Sequence, residues 1–487
     1  MNRTSSIKPG IYILLLMACA AAFSLAMWMD ESLRLDEAQS VWQTSRDLPG
    51  VMRYIAKDVH MPLYFILLHY WEIAFGTGEA AIRTMSLLFC LVSIPAMFYL
   101  ALRAYTPRVA YFASLLTTVS PFLGWYGSEA RMYSMLFLFT ALSHLLYINL
   151  WKAPSRRIWL LYGIVTFLGL FTHMFFGFVA LSQAVFYFAR RDIFPKGSLA
   201  RFLGTAALCA VPVAVWFVYR RVAGAGLSNP VLAAPTSFDF FNLFSNFFIG
   251  FQTDAVNTMF LSLWPLAVFA AFTILNKKKR TEPQTGYLML ASLLPIMLTF
   301  AVSVAFTPIF LGRYLIVALP SLYLLAIYFL SSYKLRVSNF VLGALCIGAF
   351  FMTGYQAGDK ASPVKEDYRS VAAYVAARTR ADDLLVVSAP FLTYPIEYYY
   401  RGEARIETFP RWDRYTDDPL PEPYSPGLIA KDSADWAKVY QRVYVVFGYH
   451  QPYEEDTRFY LDTHYERIEE KTFSSGLSLY VYKLRYL

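Results

Sequence analysis

Of the 487 residues, 57% are hydrophobic and 18% aromatic, and only 16% are charged, against about a quarter in an average soluble domain. That balance excludes an ordinary soluble globule and reads as a polytopic membrane protein. The formal charge of +9 does not indicate nucleic acid, because the basic residues come in short runs between apolar segments, where they set topology.

A helix rising about 1.5 Å per residue needs roughly 20 residues to cross a hydrocarbon core of about 30 Å. The first such run, Ile11–Met29, follows Arg3 and Lys8. Its apolar core exceeds the about 7–15 residues of a secretory signal, and Met17 stands where a lipoprotein-type cleavage before Cys19 needs a small residue. A retained signal-anchor helix is therefore expected. With Ala80–Leu102, Val109–Leu123, Met132–Trp151, Ile158–Thr172, Met174–Ala189, Phe202–Val218, Met259–Leu275, Gly286–Phe306, Tyr314–Ser332 and Asn339–Tyr355, the expected spans number eleven. Cys19, Cys90, Cys209 and Cys346 all lie inside these runs without metal-type spacing, so neither a disulfide nor a cysteine-held metal is expected.

The links between the spans alternate in charge. Arg3 and Lys8, Arg103 and Arg108, Lys152 with Arg156 and Arg157, Arg190 with Arg191 and Lys196, Lys277 to Arg280, and Lys334 with Arg336 all fall on one side. The positive-inside rule makes that side cytoplasmic. The opposite side receives the loop from Asp30 to His60, the turns at Glu129 and His173, the long loop from Tyr219 to Asn257, the turn from Thr307 to Arg313, and the C-terminal tail. Counting the short apolar segment Met61–Phe75 as a twelfth span would invert every later loop. It is read instead as an amphipathic or re-entrant helix at the outer interface, a depth that suits Tyr70 and Trp71.

From Asp359 onward charge returns and apolar periodicities alternate. Helices are expected near Val364–Arg378, Tyr394–Tyr400, Ser433–Tyr440 and Glu454–Thr463, and strands at Asp383–Ser388, Arg405–Phe409, Val443–Phe447, Arg467–Phe473 and Leu477–Lys483, with a Pro-rich link from Pro410 to Pro426. The organisation is thus a polytopic α-helical transmembrane domain, residues 1–358, whose first outer loop (30–79) carries juxtamembrane helices, followed by a small extracytoplasmic α/β domain, residues 359–487. The tail has no Gly-x-Gly-x-x-Gly or phosphate-loop motif, and no internal repeat is evident, which weighs against a nucleotide site and an inverted-repeat transporter.

The sequence Leu33-Arg34-Leu35-Asp36-Glu37-Ala38 carries two adjacent carboxylates beside an arginine, directly after the first span. Alone it would pass for a solvated turn. It shares the outer side with Arg53, Lys57, Asp58, His60, Glu79, Arg83, Glu129, Arg131, His173, Arg220, Arg221 and Arg313, however, and ionisable groups at membrane depth are costly to keep without a function. Carboxylates with several cations suit transfer from a phosphate-linked donor, since cations stabilise the leaving phosphate and a carboxylate takes the proton of an attacking hydroxyl. Asp36, Glu37, His60, Glu129 and His173 also offer oxygen and nitrogen donors for a divalent metal, at a spacing that is not diagnostic.

Taken in order, Leu35-Asp36-Glu37-Ala38, His60-Met61-Pro62-Leu63-Tyr64, Arg83-Thr84-Met85-Ser86, Ser120-Pro121-Phe122, Ser128-Glu129-Ala130-Arg131-Met132-Tyr133, Thr172-His173, Gly312-Arg313-Tyr314-Leu315 and Ala318-Leu319-Pro320 resemble glycosyltransferase family 39 in the broad sense. These are membrane enzymes of the GT-C class, related to protein O-mannosyltransferases and to the aminoarabinose transferases of lipid A. The resemblance implies a GT-C fold in the cell membrane, a polyprenyl-phosphate-sugar donor, and transfer with inversion to a glycan, lipid or protein acceptor. It places the catalytic carboxylate on Asp36 or Glu37, and donor phosphate or substrate contacts on His60, Arg83, Glu129, Arg131, His173 and Arg313. Where relatives carry a Pro-Pro pair after the basic residue, this chain has Met61-Pro62. Two other readings compete: a transporter or flippase of a lipid-linked saccharide, which requires charge near mid-membrane, and a catalytically silent saccharide-binding scaffold.

Overall fold

The computed structural model describes residues 8–28, 31–223, 233–262, 282–359, 364–415 and 421–484. Tertiary contacts divide the chain into two compact units, one comprising Met1–Met29 and Arg46–Asp359, the other Asp30–Ser45 and Lys360–Leu487. In chain order the helices up to Gly358 are α1 (Pro9–Trp28), α2 (Leu35–Thr44), α3 (Leu48–Lys57), α4 (Leu63–Phe75), α5 (Glu79–Ala104), α6 (Pro107–Val119), α7 (Pro121–Gly127), α8 (Tyr133–Lys152), α9 (Arg156–Thr172), α10 (Phe176–Ala189), α11 (Ser198–Val222), α12 (Ser237–Ile249), α13 (Asp254–Leu261), α14 (Pro283–Ala305), α15 (Leu319–Leu330) and α16 (Leu335–Gly358). All but α2 belong to the first unit.

Among the described residues six helices, α1, α5, α8, α11, α14 and α16, are long and apolar enough to cross a membrane, and α4, α10 and the stretch Tyr314–Leu330 are shorter apolar helices. This is a multi-pass membrane protein. Two expectations need correction. Val109–Leu123 is not one helix, because Pro121 cannot donate a backbone hydrogen bond and the Ser120 hydroxyl accepts the Leu123 N–H at 3.1 Å, so α6 stops and α7 restarts. The long loop from Tyr219 to Asn257 contains α12, nucleated by a capping box in which Thr236 and Asp239 exchange hydrogen bonds. The expected span Met259–Leu275 lies outside the described residues beyond Ser262, as does the run Lys277 to Arg280.

Two polar networks brace the bundle. Inside it, Gln183 on α10 accepts from the Tyr162 hydroxyl at 2.8 Å and donates to Ser143 and Tyr287, while Tyr147 donates to the Gln183 carbonyl and His144 bonds the Tyr287 hydroxyl at 2.6 Å. These mutual hydrogen bonds offset much of the cost of burying polar side chains, and the network ties α8, α9, α10 and α14 together. At the basic end, Arg103 donates to Asn149, Lys152 and Gln284 donate to carbonyls closing α5, and Arg108 bridges to Ser338 and Asn339 on α16.

The second unit adds α17 (Tyr368–Ala376), β1 (Asp383–Ser388), α18 (Thr393–Tyr399), β2 (Arg405–Phe409), α19 (Leu428–Val439), β3 (Arg442–Gly448), α20 (Glu454–His464), β4 (Glu466–Ser474) and β5 (Leu477–Lys483). Its sheet has the order β2-β1-β3-β5-β4, with β1 parallel to β2 and β3 and the remaining pairs antiparallel. Alternation along β1 sends Leu385 and Val387 into a core with α17 and α18, and Leu384 and Val386 into a second core with α19 and α20. Every residue of β1 is consequently buried. The outer strand β4 is mostly exposed and charged, which blunts an unpaired sheet edge.

Candidate active site

The first unit gathers His60, Arg131, His173 and Arg313, each from a different link between helices. Arg131 follows the end of α7 and is only 2% exposed. Its Nη2 lies 2.7 Å from His60 Nε2. A guanidinium can only donate, so His60 accepts with Nε2 and carries its single proton on Nδ1. Phe65 supports both groups, stacked on His60 at 5.5 Å and 5.8 Å from the Arg131 guanidinium carbon. With His60 neutral, the Asp58 carboxylate 3.8 Å away is a neighbour rather than an ion-pair partner.

The backbone around Arg131 is fixed from three helices. Ser86 on α5 donates to the Arg131 carbonyl at 3.1 Å and meets the Tyr64 hydroxyl of α4 at 2.9 Å, and Ser134 of α8 donates to the Ser86 carbonyl. The Arg131 N–H in turn reaches the Glu129 carbonyl at 2.7 Å. Arg220 on α11 donates to the carbonyls of Ala56 and Asp58, closing the end of α3 and steadying the link that carries His60.

His173 closes α9 through its N–H to the Gly169 carbonyl, and its Nδ1 accepts the Phe175 N–H at 3.1 Å. The neutral imidazole therefore has its proton on Nε2. The ring packs against Tyr314 at 4.9 Å and Tyr133 at 6.5 Å. Burial pushes its pKa down to about 3, and the nearby His60, Arg131 and Arg313 push in the same direction, which places all four in one electrostatic neighbourhood. Arg313 is half-buried, its guanidinium 5.5 Å from the Tyr314 ring. Arg83, on α5 a turn before Ser86, and Glu129, beside Arg131, are both buried.

The acidic pair belongs to the second unit. Glu37 is 1% exposed and its Oε2 accepts the Arg34 N–H at 2.9 Å, so it caps its own helix. Asp36, like Gln39 and Trp42, is one of the half-buried positions of α2. The segment before α2 is tied down residue by residue: the Tyr399 hydroxyl accepts the Leu33 N–H at 2.6 Å, Ser32 accepts the Tyr368 N–H at 3.1 Å, and Glu31 pairs with Lys365 at 2.5 Å. Arg34 is within electrostatic reach of Tyr368 and Tyr449. Ala389, Tyr449 and His450, at the ends of the adjacent parallel strands β1 and β3, adopt left-handed backbone at φ 71°, 63° and 46°. Such strain persists only where surrounding contacts fix it.

Sequence reasoning quoted Ser86 and Tyr314 only as parts of motifs and did not single out Phe65 or Tyr399, since an aromatic in an apolar or tyrosine-rich run carries no separate signal. Among the described residues, no three His, Cys, Asp or Glu side chains gather closely enough to hold a metal ion.

The family profile described as Dolichyl-phosphate-mannose-protein mannosyltransferase matches residues 59–216 of the chain. No curated protein sequence matches it. Its fold is similar to that of ArnT from Cupriavidus metallidurans in the apo state, with TM-score 0.65 at 13% identity over 97% of this chain and 98% of that one. The same protein bound to undecaprenyl phosphate gives TM-score 0.62 at 14% identity over 97% and 98% of the two chains. The archaeal oligosaccharyltransferase AglB from Archaeoglobus fulgidus, in complex with an inhibitory peptide and a dolichol-phosphate, gives 0.52 at 11% identity over 98% of this chain and 74% of its own. At these identities the likeness shows the fold alone, one shared with ArnT and with the archaeal oligosaccharyltransferase.

Proposed function

We propose that the chain is a membrane glycosyltransferase that moves a sugar from a polyprenyl-phosphate donor to an acceptor hydroxyl. The observation that carries this reading is the convergence of Arg131 and Arg313 with two neutral histidines at the ends of membrane helices. Two guanidiniums and the His60 Nδ1–H and His173 Nε2–H form a donor-rich, cationic surface suited to a phosphate, and arginine grips such an anion through paired N–H groups. The similar folds solved with undecaprenyl phosphate and with dolichol-phosphate support a carrier of that chemistry.

In the proposed reaction the acceptor oxygen attacks the anomeric carbon as the bond from that carbon to the phosphate oxygen breaks. The polyprenyl phosphate leaves with the bond electrons, and the cation cluster stabilises its added charge. The acceptor proton goes to Asp36, because Glu37 is buried and caps α2 whereas Asp36 is the more exposed carboxylate of the pair. The donor supplies its own stable leaving group, so no acid catalyst is required. Attack opposite the leaving group inverts the anomeric centre. The same reading puts eleven spans in the cell membrane, the N-terminus in the cytoplasm, and a domain of residues 359–487 outside.

The test is mass spectrometry of glycolipids and glycoproteins from cells with and without the gene. It is paired with release of polyprenyl phosphate from polyprenyl-phosphate sugars by the purified protein. Loss of one glycan modification, matched by release in vitro, is expected. An unchanged glycan profile with no release from any donor refutes the proposal.

A further inference from the structure

A second cluster lies in the C-terminal unit, where the acidic helix α2 also belongs. Arg414, in the segment after β2, is 8% exposed, and its guanidinium carbon sits 5.1 Å from the Trp42 ring, 5.1 Å from Tyr394 and 5.3 Å from Tyr415. Trp42 and Tyr394 meet edge to face at 5.1 Å, and Tyr394 meets Trp412 edge to face at 5.7 Å. The Glu397 carboxylate pairs with Arg414 Nη2 and offsets its charge.

A purely structural staple would account for the rings and the ion pair. It does not account for two donors inside the cluster. Arg414 Nη1 and Trp412 Nε1 are both buried, and among the described residues neither has a hydrogen-bond acceptor. Two such donors beside half-buried aromatic rings are ones that an oxygen-bearing ligand would satisfy.

The chemistry of that ligand follows from the lining. Aromatic faces stack against the C–H face of a pyranose ring, and sugar hydroxyl and ring oxygens accept from N–H donors. Because Glu397 already offsets the Arg414 charge, a neutral oxygen-rich ligand suits the site better than a phosphate or carboxylate. Tyr415 is 63% exposed and Trp42 and Trp412 are half-buried, so the rings are open to a ligand.

From these observations we infer that Trp42, Tyr394, Trp412, Arg414 and Tyr415 form a subsite that binds the saccharide portion of the acceptor. The inference rests on the glycosyltransferase reading above and names its acceptor class. Trp42 and Asp36 are both half-buried positions of α2, six residues apart, which is a rise of ~9 Å along the axis and about 120° around it. A short glycan stacked at Trp42 would have to wrap partly around α2 to reach the carboxylate proposed as base.

The experiment titrates the purified full chain with cellobiose, chitobiose and mannobiose, following tryptophan fluorescence and heat. It uses Trp412→Phe, which deletes the N–H and keeps a ring, and Tyr415→Ala, whose exposed position spares the fold. At least one disaccharide should bind saturably, and each variant should bind it about fivefold more weakly, the effect of about one neutral hydrogen bond or ring contact. Acceptor KM should rise while donor binding and the thermal midpoint stay unchanged. Absence of disaccharide binding, equal binding by both variants, or displacement of the disaccharide by inorganic phosphate overturns the subsite. The two readings separate cleanly. Sugar transfer without disaccharide binding sinks the subsite alone, and disaccharide binding by a protein that never releases polyprenyl phosphate sinks the transferase alone.

Discussion

Replacing Arg131 by Gln tests the donor site with the least disturbance to the fold. The contacts that fix this segment, Ser86 to the Arg131 carbonyl and Arg131 N–H to the Glu129 carbonyl, are made by the backbone and survive the substitution. The side chain loses its charge and its 2.7 Å bond to His60. A hydrogen bond involving a charged group is worth about 1.5–3 kcal/mol, so affinity for a polyprenyl-phosphate donor should fall about 10- to 150-fold. Arg131→Lys, which keeps the charge without the planar fork, should fall between wild type and Arg131→Gln. Binding is measured by competition with a fluorescent polyprenyl phosphate in detergent, with turnover followed in parallel. Donor affinity within twofold of wild type together with normal turnover in Arg131→Gln would refute the assignment of this cluster to the carrier phosphate.

Asp36→Asn should reduce transfer by about 10²–10⁴-fold with donor binding intact, whereas Glu37→Gln, which still accepts the Arg34 N–H, should be far milder; the opposite order in a single-turnover assay would exchange their roles. Gly169→Ala would drive a methyl group into the Phe176 ring and shift the turn that carries His173, costing about 1–3 kcal/mol as overpacking and lowering both the thermal midpoint and turnover; an unchanged midpoint would contradict that packing. His173 is pushed down to about 3 from an ordinary 6.5, so the unfolded chain binds its proton more readily. Stability should therefore fall as pH drops from about 6.5 toward 3, by up to about 4–5 kcal/mol. His173→Gln should flatten that acid limb of the melting curve, and an equally steep limb would mean another group is responsible. A cysteine at exposed Thr463 should react with a membrane-impermeant maleimide on intact cells, and protection there until lysis would invert the proposed topology.

The bundle and the C-terminal sheet were legible because each rests on local periodicity. Apolar runs near 20 residues became α1, α5 and α8 almost residue for residue, and alternating apolar stretches became β1, β2 and β5 with the expected bounds. The misses were equally local in cause. The restart at Ser120-Pro121 and the capping box at Thr236 are signals of one or two residues, overridden in the reading by a continuous apolar run in one case and a loop-like composition in the other.

Tertiary structure alone decided which residues meet. Nothing in the spacing of Tyr64, Ser86 and Arg131 announces that one serine joins α4, α5 and the α7–α8 link, because such a contact spans dozens of residues and depends on helix rotation. Composition likewise put Asp36 and Glu37 beside the first span, yet the tertiary contacts of Leu33, Ser32 and Glu31 assign their segment to the C-terminal unit, more than 300 positions away in sequence. The sequence by itself determined the kinds of chemistry present, since charge and polarity near lipid are costly wherever they fall. That Glu37 caps its own helix, and which histidine tautomer each arginine or amide imposes, depended on hydrogen-bond geometry that exists only once the chain has folded.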